Sequence, residues 1–116
     1  MKHAILITQC LQRDFVGSLS PHEPLPNALH VGHAEADRLL GSDPQSGPLA
    51  QLMHWANDCD PSKLSIIHIC DWHDPADPSQ QPPLSRFGDH CLHESSGATL
   101  VLDLDDTVGT RAQVVD

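Results

Sequence analysis

Tyrosine is absent from this chain, and two Phe and two Trp make up its whole aromatic complement. A core of stacked rings is excluded, so packing rests on Leu, Ile, Val and Ala. Basic residues are also scarce: six Lys plus Arg stand against sixteen Asp plus Glu, for a formal net charge of -10 at pH 7. No basic stripe exists, which removes the electrostatic footprint of nucleic-acid or anionic-membrane binding. The nine histidines soften this only below about pH 6.5, where imidazoles charge. Long apolar runs are missing as well. The segment Ala4 to Ile7 behind Met1-Lys2-His3 is too short for a secretory signal core, and no stretch approaches a membrane span. The cysteines, at positions 10, 59, 70 and 91, form no C-x-x-C pair, which excludes zinc-ribbon and thioredoxin-type motifs. An acidic chain without a secretory signal is not expected to carry a disulfide framework, and a reduced cytoplasmic setting is the expectation. G-x-G-x-x-G, P-loop and G-x-S-x-G patterns are absent, which argues against dinucleotide, nucleotide and serine-hydrolase chemistry.

What is present fits one domain over residues 1–116. Ala4 to Thr8 is a β-branched apolar run suited to a buried parallel strand. Gln9 to Phe15 then turns polar, and the prolines between Gly17 and Pro26 make a loop. Ala34 to Leu40 reads as a helix capped by Gly41. A second helix opens at Gly47-Pro48, with Leu49, Leu52, Met53 and Ala56 on one face, and closes between Asn57 and Ser62. Lys63 to Cys70 is the second strand. Asp71 to Leu84 is a Pro- and Asp-rich excursion. Leu100 to Leu104 reads as a third strand, and Gln113 to Asp116 as a fourth at the sheet edge. Strands alternating with helices predict an α/β fold with a mainly parallel sheet, whose ligands gather at the carboxyl ends of the strands.

Three segments of chemical interest fall at such ends: Gln9 to Phe15, Asp71 to His73, and the loop carrying His90. Asp71 and His73 stand two apart just beyond a strand, and His90 follows in a later loop beside Cys91. A carboxylate and two imidazoles suit a divalent ion such as zinc, manganese or iron, and three protein ligands leave positions open for water or substrate. The competing reading is strand-end capping and solvation. His93 is a weaker fourth candidate, better read as a solvated loop histidine. Cys10 is either a nucleophile or a small buried residue, the latter favoured. Asp14 is a general base or, more in keeping with such residues, a turn cap or partner of Arg13. His68 and Cys70 read as packing residues on a core strand, and Cys91 and His90 as neighbours facing opposite ways. Asp103, Asp105 and Asp106 lack the Gly and terminal Glu of an EF-hand loop and read as a solvated charge run.

The order of these segments resembles a known family. An apolar strand enters Q-x-D-F (Gln12, Asp14, Phe15). A second strand enters D-W-H, an H-C pair follows, and S-S-G-A (Ser95 to Ala98) precedes another apolar run. This arrangement is similar to the amino-terminal portion of the isochorismatase-like cysteine hydrolases, which include nicotinamidases. The resemblance implies a three-layer α/β/α domain and hydrolysis of a small amide or related cyclic acid. It places a divalent ion on Asp71, His73 and His90, polarising a substrate ring nitrogen, and a ring-packing role on Phe15. It also marks departures. The family's catalytic Asp slot is Cys10 here. Neither Lys2 nor Lys63 matches the catalytic Lys, and Cys59, Cys70 and Cys91 do not match the nucleophile. The expectation is therefore a partial domain, inactive or incomplete as an isolated chain: a fragment of a longer protein, a truncated gene product or an oligomer with shared sites. The alternative is a non-catalytic binding or oligomerisation module on the same scaffold.

Overall fold

A computed structural model describes residues 2–102 and the backbone of residues 113–115. The first apolar run forms β1 (Ala4–Gln9) and KLSIIHIC forms β2 (Leu64–Ile69). They pair in parallel, from Ala4 opposite Leu64 to Gln9 opposite Ile69. A third parallel strand, β3 (Gln113–Val115), pairs with the other side of β2, so the order is β1-β2-β3. The fold is thus mixed α/β around a small parallel sheet.

Between the strands run α1 (Arg13–Val16), α2 (His33–Leu40) and α3 (Pro48–Asp58). Gly41 ends α2 with φ of 72°, a left-handed value that favours glycine. Pro48 opens α3 at a position whose N–H has no helical partner in any case. Helix α3 turns Ala50, Met53 and Ala56 inward, where they join Leu40, Leu64 and Ile66 in one buried cluster.

The strands show which face is covered. In β2, Leu64, Ile66 and His68 are buried and alternate with half-buried Ser65, Ile67 and Ile69. On the second face, Ile5 and Ile7 of β1 are 57% and 56% exposed. Among the described residues, then, α2 and α3 cover one face and leave an apolar strip on the other.

Two expectations change. Leu100 to Leu104 is not a sheet strand over its described part, residues 100–102; positions 103 and 104, like Asp105 and Asp106, lie outside the described residues. Leu100 makes an isolated antiparallel bridge to Gln12, Val101 N–H donates to the Leu11 carbonyl (2.9 Å), and Val101 and Leu102 are buried in the core. The loop leaving β1 takes the hydrogen bonds that a sheet neighbour would otherwise supply. The parallel partner of β2 is instead the terminal segment expected as a fourth strand. The excursion after Asp71 also holds more structure than its prolines suggest: a 3-10 turn (Pro78–Gln80) leads into α4 (Gln81–Phe87). Pro82 and Pro83 fall in the first turn of α4, where missing N–H groups leave no hydrogen bond unmade. No helix among the described residues is long and apolar enough to cross a membrane.

Candidate metal centre

Beyond β2, the side chains of Asp71 and His73 come together, Oδ2 to Nε2 at 3.5 Å, while Trp72 between them is 46% exposed. Two contacts fix this segment. Gln12, fully buried behind β1, donates its Nε2 to the carbonyls of Asp71 (2.7 Å) and Ala98 (2.8 Å) and accepts the Asp71 N–H at Oε1 (2.8 Å). Every hydrogen-bonding group it uses is matched, which makes burial of an amide tolerable. Beyond it, His73 N–H donates to the Cys91 carbonyl (2.9 Å) and His93 N–H to the His73 carbonyl (2.8 Å). This short parallel bridge lays the His90 loop beside His73.

The His90 loop has its own anchor. Asp14 accepts the Cys91 N–H at Oδ2 (2.8 Å), and its carboxylate lies where a Cβ on Gly97 would sit, only 2.1 Å from Oδ2. Glycine in S-S-G-A is thus a requirement of close approach. The 3-10 turn Ser96–Ala98 and α1 meet through this contact. Asp14 is committed to a backbone N–H, as a capping role implies.

Asp71, His73 and His90 each bring one ligand atom within 4.8 Å of the others. The tautomers follow from their partners. His90 Nδ1 faces the Gly88 carbonyl at 2.7 Å, which only accepts, so Nδ1 carries the hydrogen and Nε2 is a bare lone pair. His73 Nδ1 faces Gln80 Oε1 at 3.1 Å, and that same oxygen accepts the Asp74 N–H at 2.9 Å. Again Nδ1 donates, and Nε2 is bare. His73 Nε2 is buried, has no hydrogen-bond partner, and lies 3.5 Å from Asp71 Oδ2. With the ring neutral, two acceptors facing each other across that gap repel, and leaving a buried acceptor unmatched costs about 1–3 kcal/mol. A cation between them removes both penalties, so the donor set fits a divalent ion. The His73 and His90 rings meet edge to face at 4.8 Å between centroids. Phe15 is buried behind them, its ring 5.7 Å from that of His90.

Other candidates separate from this centre. His93 is exposed and reaches Asp74 at 3.7 Å, outside the ligand group. Cys10 ends β1 with a left-handed φ of 59° and donates its N–H to the Ile69 carbonyl (2.8 Å). Burial, and then the charge of Asp71, holds its thiol above the ordinary range. An activated nucleophile needs the opposite shift. Cys91 is fully buried, and its thiol is pushed up to about 12 by burial first, then by Asp14, Asp71 and the neighbouring Cys10 and Cys70. His68 and Cys70 are buried in the sheet, in keeping with packing roles. A cavity of about 360 Å³ lined by Arg13, Asp14, Leu40, Gln45, Gly97 and Val101 contains none of the three ligands.

Gln12 stands in the Q-x-D-F motif with no role evident from the sequence, and Gln80 and Gly88 belong to no motif. The one local signal was Asp77-Pro78-Ser79, an Asx turn in which Asp77 Oδ1 accepts the Ser79 N–H at 2.9 Å and so starts the 3-10 turn carrying Gln80.

Comparison with family models, curated proteins and solved structures finds no match to this chain. The functional reading therefore stands on the site itself.

Proposed function

We propose that the chain is a divalent-metal-binding α/β domain of the isochorismatase-like, nicotinamidase-related kind, which holds a small amide or related cyclic acid at Asp71, His73 and His90. The observation that carries this is a carboxylate and two imidazoles gathered within 4.8 Å, each imidazole facing an acceptor at Nδ1. A bound ion supplies a Lewis acid for a ring nitrogen or carbonyl oxygen. The protein's own part is to hold three ligands on one rim. Asp71 is kept in place through Gln12, His73 through Gln80, and His90 through Gly88 and the Asp14–Cys91 contact. The raised thiols of Cys10 and Cys91 favour binding without turnover in the isolated chain.

Calorimetric titration with zinc or manganese, followed by nicotinamide, tests the reading. The expected outcome is one metal site, amide binding only in the metal-loaded protein, and no acid product. Replacing His73 or Asp71 by Ala should weaken metal binding by more than the roughly 10–100-fold that loss of an outer partner costs, since each removes one of three ligands. Wild-type protein that takes up no metal would overturn the proposal. Acid product lost in Cys10→Ser would restore a thiol mechanism.

The second reading, an assembly module on the same scaffold, is favoured by the exposed Ile5 and Ile7 on a strand at the end of the sheet order. Its partner is a second copy of this chain.

A further inference from the structure

We infer that Gln80 is the positioning residue that makes His73 a metal ligand, by holding its imidazole in the Nδ1–H tautomer. The inference rests on the metal-binding reading above. It concerns a residue outside the ligand triad, carried by the turn Asp74 to Gln80.

The amide of Gln80 is held at both ends. Its Oε1 accepts the Asp74 N–H (2.9 Å), and its Nε2 donates to Asp77 Oδ2 (3.1 Å). A flipped amide would set an NH2 against a backbone N–H and a carbonyl oxygen against a carboxylate, so the orientation is decided by two independent partners. Asp77 is itself fixed, its Oδ1 accepting the Ser79 N–H (2.9 Å) and hydroxyl (2.8 Å). The oxygen that remains faces His73 Nδ1 at 3.1 Å. An amide oxygen cannot donate, so the imidazole must. The hydrogen is kept off Nε2, the atom beside Asp71 Oδ2.

The chemistry is that of an outer partner on a metal-bound histidine. Without the acceptor, the neutral ring is free to carry its hydrogen on Nε2 and donate it to Asp71. That hydrogen bond would occupy the ligand atoms of both residues at once. Gln80 removes this competing state before any ion arrives. Loss of such a partner lowers metal affinity by roughly 10–100-fold in comparable sites.

Two measurements on the full chain test this. Long-range proton–nitrogen NMR of the metal-free protein, with the His73 ring neutral, should show His73 as the Nδ1–H tautomer. In Gln80→Leu it should move toward Nε2–H. Zinc affinity, read by competition with a chromophoric chelator, should fall about 10–100-fold in Gln80→Leu. It should recover in Gln80→Glu combined with Asp77→Asn, which keeps an acceptor facing His73 and avoids a new pair of like charges. A purely structural role would lower melting temperature without moving the tautomer. An Nε2–H tautomer in the wild type, or unchanged zinc affinity in Gln80→Leu, overturns the inference. If the wild-type chain binds no zinc, the metal-binding reading fails, while the NMR arm still reports on Gln80 by itself.

Discussion

Histidine 68 shows how much a single buried residue contributes to pH behaviour. Its ring sits inside the sheet, Nδ1 against the Thr8 hydroxyl, and Nε2 is buried without a partner. Burial lowers its pKa from the ordinary 6.5. The unfolded chain then binds a proton that the folded chain refuses, so stability is full above about pH 6.5 and is lost as pH falls below it, by at most about 1.4 kcal/mol per pH unit from this one group. Urea melts from pH 8 to pH 5 should show that acid limb, and His68→Gln should flatten it. An unchanged limb in the variant would assign the loss to other groups. Cys10, by contrast, sits beside the carboxylate of Asp71, whose charge adds to burial in raising its thiol, the opposite of nucleophile activation.

Elements converge on the candidate site through side chains that bind backbone. Gln12, at the start of α1, ties the ends of β1 and β2, and Asp14 ties α1 to the His90 loop. The 3-10 turn Ser96–Ala98 lies flush on Asp14 because residue 97 has no side chain. Gly97→Ala places a methyl group against a carboxylate that is already engaged, so overpacking should cost about 1–3 kcal/mol. Chemical denaturation should show a lower midpoint at unchanged slope, and zinc affinity should fall with it because Cys91 and His90 share the displaced loop. A variant as stable as the wild type would mean that the turn yields freely. The same scale accounts for the elements missed in the sequence. Helix α4 was hidden by Pro82 and Pro83, which read as helix breakers until their place in the first turn is known. The run Leu100 to Leu102 has the composition of a strand but meets the Leu11–Gln12 loop rather than a strand.

At the scale of the whole molecule, α2 and α3 lie over one face of the sheet, and Ile5 and Ile7 are exposed on the other among the described residues. A net charge of -10 opposes self-association at low salt, whereas the apolar strip favours it. The assembly reading therefore predicts a salt-dependent equilibrium. Sedimentation velocity should show the dimer fraction rising with protein concentration and with added salt, and Ile5→Lys with Ile7→Lys should return it to monomer. A strict monomer at high concentration and high salt would remove that reading and leave the metal-centre proposal untouched.

The amino-acid sequence determined the alternation of strands and helices, the spacing of Asp71 and His73 just beyond β2, and the presence of His90 in a later loop. Those properties depend on local periodicity and neighbouring residues, which a linear pattern records. Tertiary structure alone decided which histidine nitrogens face acceptors, that Gln12, Asp14 and Gln80 are the supports, and that residues 113–115 rather than 100–102 pair with β2. Most of these depend on a donor finding an acceptor across the fold, 59 positions apart for Gln12 and Asp71 and 77 for Asp14 and Cys91; the His90–Gly88 contact, 2 positions apart, is local. Long-range pairing of this kind is selected by burial and by the cost of leaving polar groups inside unmatched.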